Sequence, residues 1–154
     1  MYSWIDIGSC YVMSDVLAAF LYAQLEVWPS IQALRQQIWK YYDHLLRSWA
    51  QDRGIACPVV PDHCEQSCHM YYLVMPSLQQ RQGLISFLKS RGILSVFHYV
   101  PLHLSPMGQR FGGRSGGCPV AEEKSERLLR LPFYNSLSRA DQDQVIKAVL
   151  EFPG

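Results

Sequence analysis

The residues best suited to chemistry lie in one stretch, residues 96–103. It continues an apolar strand pattern, and Pro101 should end that strand because proline fixes φ and lacks a backbone N–H. We therefore place His98 within the strand and His103 just beyond it, at a strand end where scaffolds often present reactive groups. Histidine changes charge near neutral pH. A hydrogen-bonded core or rim histidine is the alternative, and the pattern leaves both open.

A second group of candidate ligands lies between His63 and His69, where thiols and imidazoles are crowded together and Cys57 precedes them. Structural zinc prefers four such donors in a tetrahedron. However, the spacing of Cys64 and Cys68 is not that of a zinc knuckle, and the sequence has no second cysteine pair to complete a set of four ligands. We therefore expect no metal site and interpret the five cysteines of the chain as reduced thiols.

Residues 106–118 are rich in glycine and predict a loop, because glycine costs much backbone entropy in a regular element. Arg110 and Arg114 within it could reach a phosphate-bearing ligand. The stretch is neither a P-loop nor a dinucleotide-binding turn, so a plain surface loop is favoured over a ligand lid. The charged residues that follow, among them Glu122, are interpreted as a solvated helix face.

Two helices are predicted in the first third of the chain. Ser14 should cap a helix that runs to about Val27. Its residues are apolar on nearly every face, so it needs cover on all sides, which one small domain has trouble supplying. Ser30, after Pro29, should cap a long amphipathic helix that closes near Gly54.

A small sheet is predicted in the remainder. Residues 68–75 have the pattern of a buried strand, residues 78–91 that of a helix, and residues 93–100 that of a second strand. Residues 121–129 predict a short helix, and Ser138 should open a final one. The expected fold class is therefore α/β, a small sheet packed with helices and preceded by long helices.

Composition limits the function classes. The chain has 154 residues, 49% hydrophobic and 18% charged, with a net charge of +1. These values are typical of one globular domain and give no electrostatic reason to expect nucleic acid or a membrane surface as partner. There is no apolar run of roughly 20 residues and no signal-peptide pattern. We therefore expect a cytoplasmic protein.

Several strings in the sequence resemble the DegT-type sugar-nucleotide aminotransferases. They are, in family order, residues 4–15 with the alanine-rich helix after them, residues 69–72, residues 96–103 and residues 125–132. The resemblance implies a fold-type I enzyme dependent on pyridoxal 5′-phosphate (PLP). In such enzymes a large domain holds the cofactor and a small C-terminal domain helps to close the site, usually in a homodimer.

The resemblance covers only the C-terminal part of that family. Transamination requires a lysine that forms an imine with PLP and a carboxylate that pairs with the pyridine nitrogen. None of the lysines here matches the family's lysine motif; they are Lys40, Lys89, Lys124 and Lys147. We therefore expect residues 1–154 to be the small-domain portion, without the large domain, and residues 1–28 to contact that domain and the dimer partner. We expect no covalent PLP and no unaided catalysis.

The resemblance also implies the cofactor contacts. In many members a Gly-x-Asn-Tyr stretch reaches across the dimer toward the cofactor phosphate, and residues 8–11 occupy its place. Ser9, Cys10 and Tyr11 are therefore the predicted cofactor-binding residues. Cys10 replaces the usual amide or hydroxyl, which weakens the hydrogen bond expected there.

The same comparison implies a substrate surface. His98, Tyr99 and His103 match the family's His-Tyr-x-Pro-Leu-His segment, and we expect them to orient or bind the sugar rather than to transfer the proton. The implied substrate is a dTDP-linked 4-keto-6-deoxy sugar of cell-surface polysaccharide synthesis, with glutamate as amino donor. The alternative is a non-enzymatic module that binds a full-length aminotransferase or a sugar nucleotide.

Overall fold

The computed structural model describes residues 3–8 and 12–154. Within them, helices, a 3-10 turn and three short strands follow one another along the chain. In order they are α1 (Asp15–Glu26), α2 (Trp28–Gln51), β1 (Tyr72–Val74), α3 (Leu78–Ser90), β2 (Val96–Phe97), the 3-10 turn (Leu102–Leu104), α4 (Pro106–Arg110), α5 (Pro119–Arg127), β3 (Leu128–Arg130) and α6 (Arg139–Leu150).

The first two helices are almost continuous. Ser14 caps α1 as predicted, but the prediction that Ser30 caps α2 is wrong, because α2 already begins at Trp28. Pro29 lies in the first turn, where its missing N–H has no intrahelical partner to lose. Only Val27 therefore separates the two helices.

The sheet has the order β1-β3-β2, and both pairings are antiparallel. Its central strand β3 falls where the sequence predicted the end of a helix over residues 121–129, so that boundary is wrong. The predicted strands over 68–75 and 93–100 shrink to three and two residues. The cause is the short length of β3. This strand begins directly after α5 and ends shortly before Pro132, so it offers its neighbours few residues to pair with. His98 consequently lies after β2 rather than within it.

The two faces of the sheet have different environments. Register places Leu73, Leu129 and Phe97 in one row, and Leu73 and Leu129 are fully buried in the core. This core includes Tyr42 of α2 and side chains of α3 and α6. Because side chains alternate along a strand, the neighbours of Leu129, namely Leu128 and Arg130, point to the opposite face.

Aromatic packing and one buried amide join α2 to the rest of the core. The rings of Tyr42 and Tyr71 stack with centroids 5.4 Å apart, and Trp39 meets Tyr71 edge-on at 5.6 Å. The buried Gln142 of α6 donates its Nε2–H to the carbonyl oxygen of Ile38 at 2.7 Å. The long helix is therefore fixed by both apolar contact and a buried hydrogen bond.

Helix α1 lies outside this core. None of its residues is buried, and Phe20 and Leu25 are 68% and 56% exposed. The need for cover inferred from its sequence is therefore not met by the described part of the chain. Across residues 3–8 and 12–154, no helix combines the length and the apolar character that a membrane crossing needs.

Leu129 should dominate the stability of the sheet. We expect Leu129→Ala to lower the free energy of unfolding by about 2 to 5 kcal/mol, because it leaves a cavity in the centre of the core. Leu94→Ala, at a side chain 74% exposed, should change it by less than about 0.5 kcal/mol. Urea unfolding measures both. Equal small effects would show that β3 is not the centre of the packing.

Candidate functional site

A cavity of about 710 Å³ lies on the sheet face opposite the core. It is bordered by β3, the segment after β2, the 3-10 turn and α5, and its surface is mostly apolar. The side chains that matter below are Trp4, His98, Tyr99, Leu102, Lys124 and Leu128. We call this space the first cavity.

The structure brings His98 and Tyr99 together at this cavity. Their predicted role in substrate binding stays a prediction. Their rings are tilted against each other with centroids 5.6 Å apart. The Nδ1 atom of His98 is buried and has no hydrogen-bond partner among the described residues. Burial lowers the pKa of His98, and the positive charge of Arg130 lowers it further. His98 is therefore a neutral imidazole at neutral pH.

His103 occupies a different place. It is not among the residues that line the first cavity, and its Nε2 atom lies 2.9 Å from Oε1 of Glu122. That contact already occupies one of its two ring nitrogens. The predicted role of His103 in sugar binding therefore stays a prediction, whereas its contact with Glu122 is a feature that the sequence did not suggest.

Glu122 organises the segment that borders the cavity. Its carboxylate accepts hydrogen bonds from the N–H of Gly116 at 2.9 Å, the N–H of Cys118 at 3.2 Å and the hydroxyl of Ser115 at 3.3 Å. The Gly116 amide, followed by His103, lowers the pKa of Glu122 to about 2. The interpretation of Glu122 as part of a solvated helix face is therefore wrong.

The glycine-rich stretch contains a helix, contrary to the predicted loop over residues 106–118. Helix α4 forms there because Pro106 suits a first turn and the Ser105 hydroxyl accepts the N–H of Gly108 at 3.0 Å. Gly108 is required by close approach, since a Cβ there would collide with the carbonyl oxygen of Leu102. A Cβ at Gly113 would collide with the carbonyl oxygen of His103 in the same way.

Two residues at the first cavity were missed by the sequence analysis. Trp4 stacks on Phe111 with ring centroids 5.9 Å apart, and its carbonyl oxygen accepts the N–H of Met107 at 3.1 Å. These contacts hold the segment around Trp4 against the cavity wall. Lys124 does not match the family's lysine motif, yet it borders the cavity from α5. Neither position carries a local sequence signal, because both depend on contacts between distant segments.

The residues around this cavity do not form a complete PLP site. A pyridine nitrogen needs a carboxylate partner, and no carboxylate lines the first cavity within the described ranges. The one lysine on its border, Lys124, lies 3.6 Å from the carboxylate of Glu123. The predicted cofactor contacts Ser9, Cys10 and Tyr11 lie outside the described residues. What is described fits a wall of a ligand site rather than a cofactor cradle.

The cysteines and histidines of residues 63–69 do not form a metal site. Among the described residues, no three or more potential metal ligands lie close enough together to hold an ion. Cys64 is exposed and Cys68 is buried. His69 instead contacts Ser67, with Nδ1 and the hydroxyl oxygen 2.9 Å apart.

A second cavity, of about 560 Å³, lies where the ends of β2 and β3 meet residues of α6. Val96, Arg130 and the aromatic residues Phe133 and Tyr134 line it. The buried core residue Val145 and the carboxylate-bearing Asp141 line it as well. We call this space the second cavity.

Comparisons with known proteins agree with this architecture. The spore coat polysaccharide biosynthesis protein SpsC of Bacillus subtilis is 32% identical over 142 residues, which cover 89% of this chain and 36% of that protein. The dTDP-4-dehydro-2,3,6-trideoxy-D-glucose 4-aminotransferase of Saccharopolyspora spinosa is 30% identical over 150 residues, 94% of this chain and 37% of the relative. The crystal structure of the aminotransferase TlmJ from Streptoalloteichus hindustanus superposes with a TM-score of 0.76 at 31% identity, covering 90% of this chain and 36% of TlmJ.

The architecture is that of a small α/β portion of a PLP-dependent aminotransferase, which confirms the predicted fold class. The chain belongs to the DegT/DnrJ/EryC1/StrS aminotransferase family, whose model matches residues 1–150. It spans little more than a third of the length of the relatives described above.

Glu122 should make stability depend on pH in the acid range. A carboxylate whose folded-state pKa is lowered stabilises the fold above its unfolded pKa of about 4.3, and this contribution is lost as the pH falls toward 2. We expect Glu122→Gln to be less stable than the parent chain near neutral pH, and the difference to shrink between about pH 5 and about pH 2. Urea midpoints across that range measure it. The exposed Glu65→Gln serves as control, and a difference that does not change with pH would contradict the assignment.

Proposed function

We propose that this chain is the small-domain portion of a PLP-dependent nucleotide-sugar aminotransferase and that these 154 residues do not transaminate by themselves. Two observations carry the proposal. The chain matches the family over residues 1–150, and the described residues of the candidate site include no carboxylate for the pyridine nitrogen and no lysine in the family's motif. The cofactor-holding domain would then be supplied by polypeptide outside these residues.

The proposed substrate is a dTDP-linked keto sugar, with glutamate as the proposed amino donor. Support comes from the Saccharopolyspora relative, whose name specifies a dTDP-dehydro sugar, and from SpsC, whose name specifies polysaccharide synthesis. A finer assignment rests on the sequence resemblance alone: the dTDP-4-keto-6-deoxy-D-glucose transaminase of enterobacterial common antigen synthesis. A cytoplasmic location belongs to the same proposal.

Within such an enzyme, this chain's own residues would bind and orient the substrate. His98 is neutral and its buried Nδ1 has no partner among the described residues, so it can hydrogen-bond a sugar hydroxyl without adding charge to the first cavity. Tyr99 lies against it. The apolar wall that includes Leu102 and Leu128 would exclude water from the sugar. PLP, when bound by the complete enzyme, would supply the electron sink for transamination.

The proposal also gives the exposed first helix a partner. The apolar side chains of α1 remain solvent-exposed, and such surfaces mark interaction sites. We place the large domain and the partner subunit of a homodimer on this helix. Ser9, Cys10 and Tyr11, which precede it, would then reach the cofactor phosphate.

A second candidate function is a non-enzymatic module that binds a full-length aminotransferase. The same exposed helix favours it, because α1 would be covered by the associated enzyme. Co-purification with a full-length aminotransferase, with no gain of transaminase activity when the missing domain is supplied, would favour this candidate.

The absence of a cofactor lysine can be tested by covalent labelling. We expect equimolar PLP followed by borohydride reduction to label no single lysine stoichiometrically, as judged by peptide mass mapping. Lys124 is the most informative position, because it alone among the four lysines lines the first cavity. Stoichiometric labelling that Lys124→Gln abolishes and Lys89→Gln leaves intact would overturn the proposal.

The exposed face of α1 predicts self-association. The double variant Phe20→Ser with Leu25→Ser should be more monomeric in sedimentation velocity than the parent chain, because it removes two large apolar side chains from the surface. Its free energy of unfolding should change by less than about 1 kcal/mol, since neither side chain is buried. Leu84→Ser, in the core, should instead impair folding. Unchanged association would argue against α1 as the docking surface.

A further inference from the structure

The chain leaves the sheet directly before it reaches the first cavity. The ladder between β2 and β3 ends at Phe97, which pairs with Leu129. His98 and Tyr99, the next two residues, border the first cavity but lie beyond this ladder. A side chain in a ligand site needs supporting contacts that keep its orientation. The contacts at the end of β2 therefore determine how His98 faces the cavity.

Two arginines contact Phe97 from opposite faces of the sheet. The ring of Phe97 shares the core-facing row of Leu129, and Arg81 of α3 has its Cζ 5.9 Å from the centroid of that ring. Arg130 of β3 points to the other face, and its Nη2 donates to the carbonyl oxygen of Phe97 at 3.3 Å. One guanidinium therefore contacts the ring and the other contacts the backbone of the same residue.

Neither of these two arginines forms an ion pair with a carboxylate within the described ranges, whereas Arg47, Arg91 and Arg127 do. Arg81 is only 7% exposed, and its Nε, like that of Arg130, is buried without a hydrogen-bond partner in the same part of the chain. A buried guanidinium without a counter-ion is costly. The aromatic rings and the carbonyl oxygen at the end of β2 are therefore the contacts that hold these two side chains.

Arg130 contacts the residue on each side of His98. Besides its hydrogen bond to Phe97, it places its Cζ 5.6 Å from the centroid of the Tyr99 ring. The Tyr99 ring in turn lies against the His98 imidazole, with centroids 5.6 Å apart. A planar guanidinium can donate a hydrogen bond and stack on a ring at the same time, which a lysine ammonium does less well. One side chain therefore holds the chain on both sides of His98.

The charges around His98 have one sign. Burial lowers the pKa of His98, and the positive charge of Arg130 lowers it further. Among the described residues, Lys124 is the one charged side chain that lines the first cavity, and it is also cationic. A carboxylate in the place of Arg130 would raise the pKa of His98 instead. Arg130 therefore favours the neutral imidazole as well as its orientation.

We propose that Arg130 is a positioning residue for His98, and that Arg81 supports it by fixing the ring of Phe97. Arg130 borders the second cavity and is not among the residues that line the first. It therefore acts through His98 and Tyr99 rather than on a ligand beside them. The identity of the ligand that His98 would contact rests on the proposed function. The positioning rests only on the contacts of the two arginines.

The test is nuclear magnetic resonance of the 154-residue chain, which reports on single residues. In the parent chain, backbone order parameters at residues 98–100 should be about 0.85, as in rigid structure. In Arg130→Gln they should fall below about 0.6, because the hydrogen bond to Phe97 and the stacking on Tyr99 are both lost. The pKa of His98, followed by its ring signals, should rise in the same variant, because the nearby positive charge is gone and the ring is more hydrated.

The variant Arg130→Lys separates charge from positioning. It keeps the positive charge but lacks the planar fork, so the order parameters of residues 98–100 should lie between those of the parent chain and those of Arg130→Gln. If Arg130→Lys matches the parent chain in both measurements, only the charge matters and the proposal is overturned. Unchanged order parameters in Arg130→Gln would overturn it as well.

Arg81→Met tests the supporting contact. It should lower the order parameters of residues 98–100 less than Arg130→Gln does, because Arg81 contacts only the ring of Phe97. A larger effect of Arg81→Met would assign the positioning to Arg81 and contradict the proposal.

A matched control separates this effect from general changes in charge and packing. Arg53→Gln removes an arginine whose Cζ lies 5.0 Å from the centroid of the Trp49 ring, and it should leave residues 98–100 as rigid as in the parent chain. Core residues such as Leu84 should keep their order parameters in every variant. An equal fall at Leu84 in Arg130→Gln would show a general loss of packing and would overturn the proposal.

The outcomes also distinguish this inference from the proposed function. If Arg130→Gln loosens residues 98–100 but borohydride labelling shows a cofactor lysine in this chain, the function proposal fails and the positioning role stands. If no lysine is labelled and the order parameters do not depend on Arg130, the function proposal stands and this inference fails.

Discussion

The pairing of β3 with two antiparallel neighbours is the constraint on which the structure depends. This strand is only three residues long, yet it lies between β1 and β2 and so joins the two halves of the sheet. Leu129 points into the core, while Leu128 points to the other face and borders the first cavity. Alternation along one strand therefore couples the packing of the core to the position of the site.

The sequence predicted the elements that have a local signal, such as a helix-capping residue. Ser14 and Ser138 cap their helices as predicted. It could not predict β3, because a three-residue strand shows no periodicity and follows a helix without a break. The extent of β2 was overestimated for a related reason, since strand length is limited by the partner strand rather than by the strand's own apolar pattern.

The candidate site was predictable in part. His98 could be found from its place at the end of an apolar strand pattern before Pro101, whereas Tyr99 was assigned only through the family resemblance. The structure places both at one cavity. Trp4, Glu122 and Arg130 could not be found from the sequence, because their environments are made by segments far apart in the chain. The carboxylate of Glu122 shows this most clearly, since its partners lie on the 3-10 turn and on the segment after α4. Its place among the charged residues of a short helix indicated only a solvated helix face.

The close approaches at Gly108 and Gly113 have a consequence for how variation at these positions should be interpreted. Both positions press directly on the backbone of the 3-10 turn, where no side chain can be accommodated. A saturation mutagenesis screen would therefore score them as intolerant, and homologous sequences under selection would keep them invariant. Such invariance would reflect the lack of space for a side chain where two backbone segments meet. It would carry no information about which molecule binds in the cavity.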